Sequence, residues 1–217
     1  MPLLPLFPLG SVLFPGGTLP LHIFEERYRL MIGECLTEER PFGVVLIRRG
    51  VEVGGSAEPY MVGTTARIKR AERHPDGRMD IVTVGAERFK AVTLEYSRPY
   101  PSADVVYSPR AEGAAGACDT AMALVRALFS EQFRLTLALG NQWSSGIDLP
   151  LQPVALADFV AGRLDADEHV KQKLLEIDAV QDCLETEAAM LADNVRRLVG
   201  RVKAAQRSRY AGFGATN

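Results

Sequence analysis

Leu19-Pro20-Leu21-His22-Ile23-Phe24-Glu25-Glu26-Arg27-Tyr28 decides how this chain is read, because its periodicity changes partway along. Leu19, Leu21 and Ile23 alternate with polar or small positions, which is the pattern of a half-buried strand. From Phe24 onward the spacing becomes helical: Phe24, Tyr28, Met31, Ile32 and Cys35 fall on one face. Glu25 and Glu26 lie in the first turn, where carboxylates meet the positive end of the helix dipole. A strand is therefore predicted to run directly into a helix over residues 25–36.

On either side of this stretch the first half is rich in short apolar runs and turn signals. Leu3 to Phe7 reads as a short strand, which its proline confines to an edge or to irregular pairing. Phe14-Pro15-Gly16-Gly17 is a turn, and Phe42 to Arg48 has strand length. Gly63 to Lys69 begins another strand. His74-Pro75-Asp76-Gly77-Arg78 then turns the chain, since proline presets one φ angle and Asp-Gly tolerates positive φ. Met79 to Val84 is the expected hairpin partner, with further strands at Phe89 to Tyr96 and Ala103 to Tyr107. Short strands joined by hairpins around one helix predict a small, partly closed β-structure over residues 1–110.

Ser108 to Gly116 reads as a linker, and residues 117–210 are helical in pattern. Asp119 is placed as a helix cap before the apolar face Ala121, Leu124, Val125, Leu128 and Phe129. Pro153 suits a first helical turn, and Asp165 with Glu168 suggests a capping box. The longest helix is predicted from Asp178 to about Arg207, roughly 45 Å at about 1.5 Å per residue. Its apolar stripe is Val180, Leu184, Ala188, Leu191, Val195, Leu198 and Val202, acidic side chains crowd its first half, and basic ones end it. The expected fold is α+β, a β-rich domain and then a helical bundle ending in a long helix.

The balance of 25 Lys and Arg against 27 Asp and Glu, a formal charge of -2, gives no global attraction to nucleic acid or anionic membrane. Cys35, Cys118 and Cys183 are widely spaced, so neither a disulfide framework nor a C-x-x-C metal site is implied. Prolines interrupt the apolar N-terminus, and no basic residue precedes it, which argues against a secretory leader. No run approaches the ~20 apolar residues of a membrane-spanning helix. A cytoplasmic protein is the expectation.

The order of motifs resembles the N-terminal, substrate-binding domain of Lon proteases. The pieces are Leu3-Leu4-Pro5-Leu6, then Leu13 to Leu21, then Phe24-Glu25-Glu26-Arg27-Tyr28, then Phe42-Gly43-Val44-Val45-Leu46. The Gly63 to Ile68 strand, the Asp76-Gly77-Arg78 hairpin and Gly85-Ala86-Glu87-Arg88-Phe89 follow. Weaker matches are Leu156-Ala157-Asp158-Phe159-Val160-Ala161 and Lys171 to Asp178. The resemblance implies a PUA-like β pseudo-barrel followed by helices. Lon proteases continue into ATPase and protease modules; here no G-x-x-x-x-G-K-[ST] is present, so the resemblance is to a stand-alone, non-enzymatic version of the recognition domain.

Within the motifs, Phe24, Tyr28, Phe42 and Phe89 are read as core and Arg27 with Glu25 as an internal ion pair, while Gly85 and Arg88 are structural members of their motif. Leu13 and Phe14, beside a constrained turn, are the first candidates for exposed peptide-binding anchors. Trp143, the only tryptophan, is the second, as a binding hot spot or as a lid folded over the helices. No metal is expected, since His22, His74 and His169 are isolated in sequence, and no cofactor, since Gly212-Phe213-Gly214 neither follows a strand nor opens a helix. The leading function is recognition of unfolded or flexible polypeptide segments, or of a protein partner such as a separate ATP-dependent protease, with addition at a strand edge as one mode. RNA binding through Arg67, Lys69, Arg70, Arg73 and Arg196 to Arg209 is the alternative. A hydrolase using Ser144 or Ser145 is a third.

Overall fold

The hairpin at His74 to Arg78 closes as its residues require: Gly77 has φ 82°, and its N–H donates to the His74 carbonyl at 2.9 Å. It joins the two longest strands of a computed structural model, which describes residues 3–52, 57–114, 116–140, 142–144 and 146–211, with side chains to residue 205. The elements are β1 (Leu4–Leu9), β2 (Thr18–Ile23), α1 (Glu26–Thr37), β3 (Phe42–Gly50), β4 (Ala57–Arg73), β5 (Met79–Glu95) and β6 (Ser102–Tyr107), then α2 (Asp119–Leu139), α3 (Pro153–Ala161), α4 (Glu168–Glu176) and α5 (Val180–Ala211). The fold is α+β. No helix among the described residues is long and apolar enough to cross a membrane.

The strands form one sheet in the order β2-β5-β4-β3-β1-β6, and a further β5–β6 pairing closes five of them into a ring. Closure needs β5 to serve two partners. Its first half pairs with β2 and its second half with β6, so Met79–Val84 and Phe89–Tyr96, expected as separate strands, belong to one. A bulge between them shifts the β4 register from Ala66↔Gly85 to Thr64↔Arg88. Thr65 Oγ1 fills the gap, accepting from Glu87 N–H at 3.0 Å and donating to Glu87 C=O at 3.3 Å.

β1 is not an edge strand. It lies between β3 and β6, despite Pro5 and Pro8. The phase of the strand explains the tolerance. Leu6 N–H points to the β6 side, donating to Pro101 C=O at 2.8 Å. Pro8, in the same phase, lies beyond the β6 pairing, and Pro5, in the opposite phase, precedes the β3 pairing. Neither proline sits where a ladder bond is needed.

Two units are compact, and neither is a single continuous segment. Unit 1 comprises residues 1–111 and 161–178, and unit 2 residues 112–160 and 179–217. The segment carrying α4, expected among the helices, belongs with the barrel because polar groups stitch it there. Val12 N–H donates to Glu168 Oε2 at 2.7 Å, and Gln172 Nε2 donates to Val62 C=O at 3.0 Å. Arg88 Nη1 donates to the carbonyls of Leu175 and Ile177 at 2.8 and 2.9 Å, and its Nε to Ser108 C=O at 2.6 Å. Arg110 Nη2 reaches Leu174 C=O at 2.8 Å. Asp167 caps α4 by accepting from His169 N–H at 2.8 Å, two residues later than the capping box predicted.

The barrel core contains Phe7, Ile23, Tyr28, Met31, Ile32, Phe42 and Ile81, with Phe7 stacked on Tyr28 at 4.2 Å. A second cluster gathers Leu4, Leu6, Val45, Phe89, Ala91 and Ala103. In unit 2, α2 buries Ala121, Val125 and Phe129, while Leu124 is exposed and Cys118, not Asp119, occupies the cap position. From α5 the buried side chains include Val180, Leu184, Ala188 and Leu191. The cysteines are buried and form no disulfide among the described residues, and burial pushes the Cys35 thiol up to about 11, which keeps it protonated at neutral pH.

Replacing Arg88 by Met should cost about 3–5 kcal/mol in urea denaturation, since buried carbonyls at the end of α4 lose their donor. Lys should not rescue it, because a single ammonium cannot reproduce the fork. Gly85→Ala should cost roughly 1–3 kcal/mol, because an added Cβ would lie 2.3 Å from the Phe14 carbonyl oxygen. Wild-type stability in either variant would contradict these assignments.

Candidate functional site

The Phe24 to Tyr28 motif is where β2 hands over to α1. Glu25 is the N-cap, yet its side chain makes no capping bond. It is drawn to Arg27 instead, whose Nη2 lies 3.0 Å from Glu25 Oε2 and whose guanidinium sits 4.6 Å over the Tyr28 ring. Phe24 corrects the reading as core: it is 47% exposed. It precedes the helix, so helical spacing to Tyr28 does not place it on the buried face, and it stacks on His22 instead.

Beside the motif a cleft of about 670 Å³ is lined by residues that include Arg27, Tyr28, Arg49, Tyr96, Arg98 and Tyr100. Its cations are largely answered by carboxylates. Arg27 faces Glu25 and Arg98 Nη1 reaches Glu34 Oε2 at 2.8 Å, while Glu58 of the lining pairs with Arg48 outside it. Burial first, then Glu34, raises the Tyr100 phenol pKa, so the ring stays neutral. Such a surface is aromatic, with two of its three arginines answered by carboxylates.

His22 and His74, isolated in sequence, meet on one carboxylate. His22 Nδ1 and His74 Nε2 each lie 2.6 Å from an oxygen of Asp80. The register puts His22 directly opposite Asp80, and the hairpin turn brings His74 to the same side. The two imidazole bonds hold the Asp80 carboxyl below the usual carboxylate range. His169 lies instead beside the Tyr60 hydroxyl at 3.3 Å. Among the described residues no group of three His, Cys, Asp or Glu is arranged to hold a metal ion.

Leu13 and Phe14 correct the expectation of exposed anchors: they are 5% and 2% exposed. Their turn docks on the β5 bulge, with Gly16 N–H donating to Gly85 C=O at 2.9 Å and Gly85 N–H to Gly17 C=O at 2.8 Å. The missing side chain of Gly85 is what lets the Phe14 backbone approach. Proline and glycine marked a turn there; they could not tell whether its flanks face inward.

The same bonds argue against strand addition at β2, for which β5 is the only partner strand among the described residues. Gly17 and Leu19 turn their carbonyls toward β5. Pro20, one residue out of phase, therefore faces the free edge, where it offers no N–H.

Trp143 is 88% exposed. It borders a groove of about 490 Å³ in unit 2, with Phe133 and Leu137 of α2 and Ile147 among the lining residues. The ring does not cover the helices. Nearby, Ser144 Oγ donates to Gly146 C=O at 3.1 Å, while Ser145 and Gly212 to Gly214 lie outside the described residues. The basic cluster expected at the end of α5 is described only in part, since the side chains of Arg207 and Arg209 also fall outside.

A family model of the ATP-dependent protease La (LON) substrate-binding domain matches residues 3–193, and the chain belongs to that family. Similar proteins include the Lon protease of Anaeromyxobacter dehalogenans, 31% identical over 176 residues that make up 80% of this chain and 21% of that one. Lon protease 2 of Myxococcus xanthus is 30% identical over the same shares. The chain thus spans about a fifth of the length of these curated relatives. The crystal structure of a Lon N-terminal domain protein from Xanthomonas campestris superposes with TM-score 0.60 at 26% identity, covering 87% of this chain and 98% of that one. The N-terminal domain of a Mycobacterium avium complex Lon protease shares the fold, with TM-score 0.66 at 18% identity and coverage of 88% and 99%.

The Asp80 bridge has a testable signature. Its folded pKa lies below the unfolded value, so its contribution is present above about pH 4 and is lost as pH falls through the folded pKa. The stability difference between wild type and Asp80→Asn, followed by urea denaturation into acid, should therefore shrink as pH drops. A difference independent of pH would show that the imidazole bonds do not stabilise the ionised form.

Proposed function

We propose that this chain is a non-catalytic recognition module that holds unfolded or flexible polypeptide segments in the groove beside Trp143. Membership of the substrate-binding family supports the class of ligand, and the exposure of Trp143 carries the choice of surface. Covering an indole removes about 150–250 Å² from water, worth roughly 4–6 kcal/mol before ordering costs. Ordering a flexible ligand offsets much of that, so binding is weak and tolerant of sequence. Phe133, Leu137 and Ile147 give an apolar segment a floor to lie on. A separate ATP-dependent protease is a candidate recipient of the bound segment, a role suggested by the names of the relatives. This reading uses no metal, cofactor or catalytic residue.

The test is titration of a labelled, permanently unfolded polypeptide at low and high salt. Saturable binding should survive salt and weaken roughly tenfold or more in Trp143→Ala, with the fold intact by circular dichroism. Binding that collapses with salt would point instead to the exposed Arg67, Lys69, Arg70 and Arg73 of β4, and to a polyanion such as RNA. Unchanged affinity in Trp143→Ala would remove the groove from the account.

A further inference from the structure

α5 is 32 residues long, about 48 Å, whereas α2, which packs against it, has 21 residues and spans about 32 Å. Among the described residues of α5 beyond Asn194, none is buried. A second face runs along the helix from the edge of the buried stripe, at Glu185, Ala192, Val195, Val199 and Val202, with the buried Ala188 on its floor. With Ala188 included, its steps are three, four, three, four and three, which is the heptad spacing of a coiled-coil seam. The two ends of this face differ in size and charge. Toward its start lie alanines and Glu185; toward its end lie valines and Lys203. At the alanine end the surface is concave, a groove of about 600 Å³ whose walls include Leu124 and Leu128 of α2.

We infer that the occupant of this groove is the distal half of α5 from a second copy of the chain, laid antiparallel. With the two-fold axis between Asp193 and Asn194, Ala192 meets Val195 of the other copy, Ala188 meets Val199, and Glu185 meets Val202 and Lys203. Every contact then occurs twice, as an isologous interface requires. Small side chains oppose large ones, so the helices approach closely without a clash. The acidic half of each helix lies along the basic half of the other, with Glu185 and Asp182 toward Lys203 and Arg201. A parallel arrangement would set like charges side by side, and the same charges would oppose it. Leu124, 49% exposed in one copy, gains apolar neighbours from the valine end of the other.

The experiment is sedimentation equilibrium of the full chain over a range of concentrations, with charge reversals at two exposed positions and the fold of each variant checked by circular dichroism. Wild type should pass from the 23.7 kDa monomer to a dimer. Glu185→Lys and Lys203→Glu should each raise the dimer dissociation constant about tenfold, because each converts two attractive contacts into repulsive ones. The double variant E185K/K203E should recover most of that loss. A monomer at every concentration would overturn the inference. So would a dimer indifferent to the single reversals, or a double variant no better than either single one.

Discussion

A guanidinium that is 5% exposed must be surrounded by acceptors, and Arg88 is met by the backbone carbonyls of Ser108, Leu175 and Ile177. Its ion pair with Asp178 contributes less, since that carboxylate is 81% exposed and screened by water. Those of Leu175 and Ile177 belong to the last turn and C-cap of α4, where a positive charge also meets the negative end of the helix dipole. One side chain from a barrel strand thus finishes a helix that lies nearly ninety positions later in the chain. Arg110 repeats the contact from just beyond β6. The neighbouring motif positions serve the same end. Phe89 anchors the strand in the core, the bulge braced by Thr65 aims Arg88, and Gly85 admits the turn that buries Phe14.

This constraint separates what is scaffold from what is free to bind. Most of the N-terminal motif is spent on structure: Tyr28 in the core, Glu25 and Arg27 on one another, Leu13 and Phe14 under the bulge. Binding surface must come from side chains that folding leaves uncovered. Trp143 is the largest of these, and its groove is built by α2 and the loop that follows, outside the barrel motifs altogether. An apolar surface outside the barrel motifs is what the proposed recognition of ligands that share little sequence would use.

Much of the barrel was legible because its signals are local. The change of period at Phe24, the Pro-Asp-Gly hairpin and the alternating strands each depend on neighbouring residues. Partner choice is not local, and there the reading failed. Helical periodicity marks α4 but cannot say that a barrel arginine holds it. Proline in Leu4–Leu9 signals a gap in hydrogen bonding, not an edge. The His22–Asp80–His74 cluster was invisible because strand register brings together residues with no shared spacing in sequence. Leu13 and Phe14 misled for a related reason: a turn motif fixes backbone direction, and the side facing inward is set by the strand it docks on. For Trp143 both exposed and covering positions were open, since nothing in the surrounding Gly/Ser sequence dictates where its ring lies.

Trp143 is the chain's only tryptophan, so its own fluorescence reports on the central claim. The most direct measurement is its emission spectrum as a tryptophan-free unfolded polypeptide is added. The account predicts a water-exposed spectrum in the free protein and a saturable blue shift as the indole leaves water. Saturable binding of that polypeptide with the spectrum unchanged would contradict it, placing recognition on some other surface of the chain.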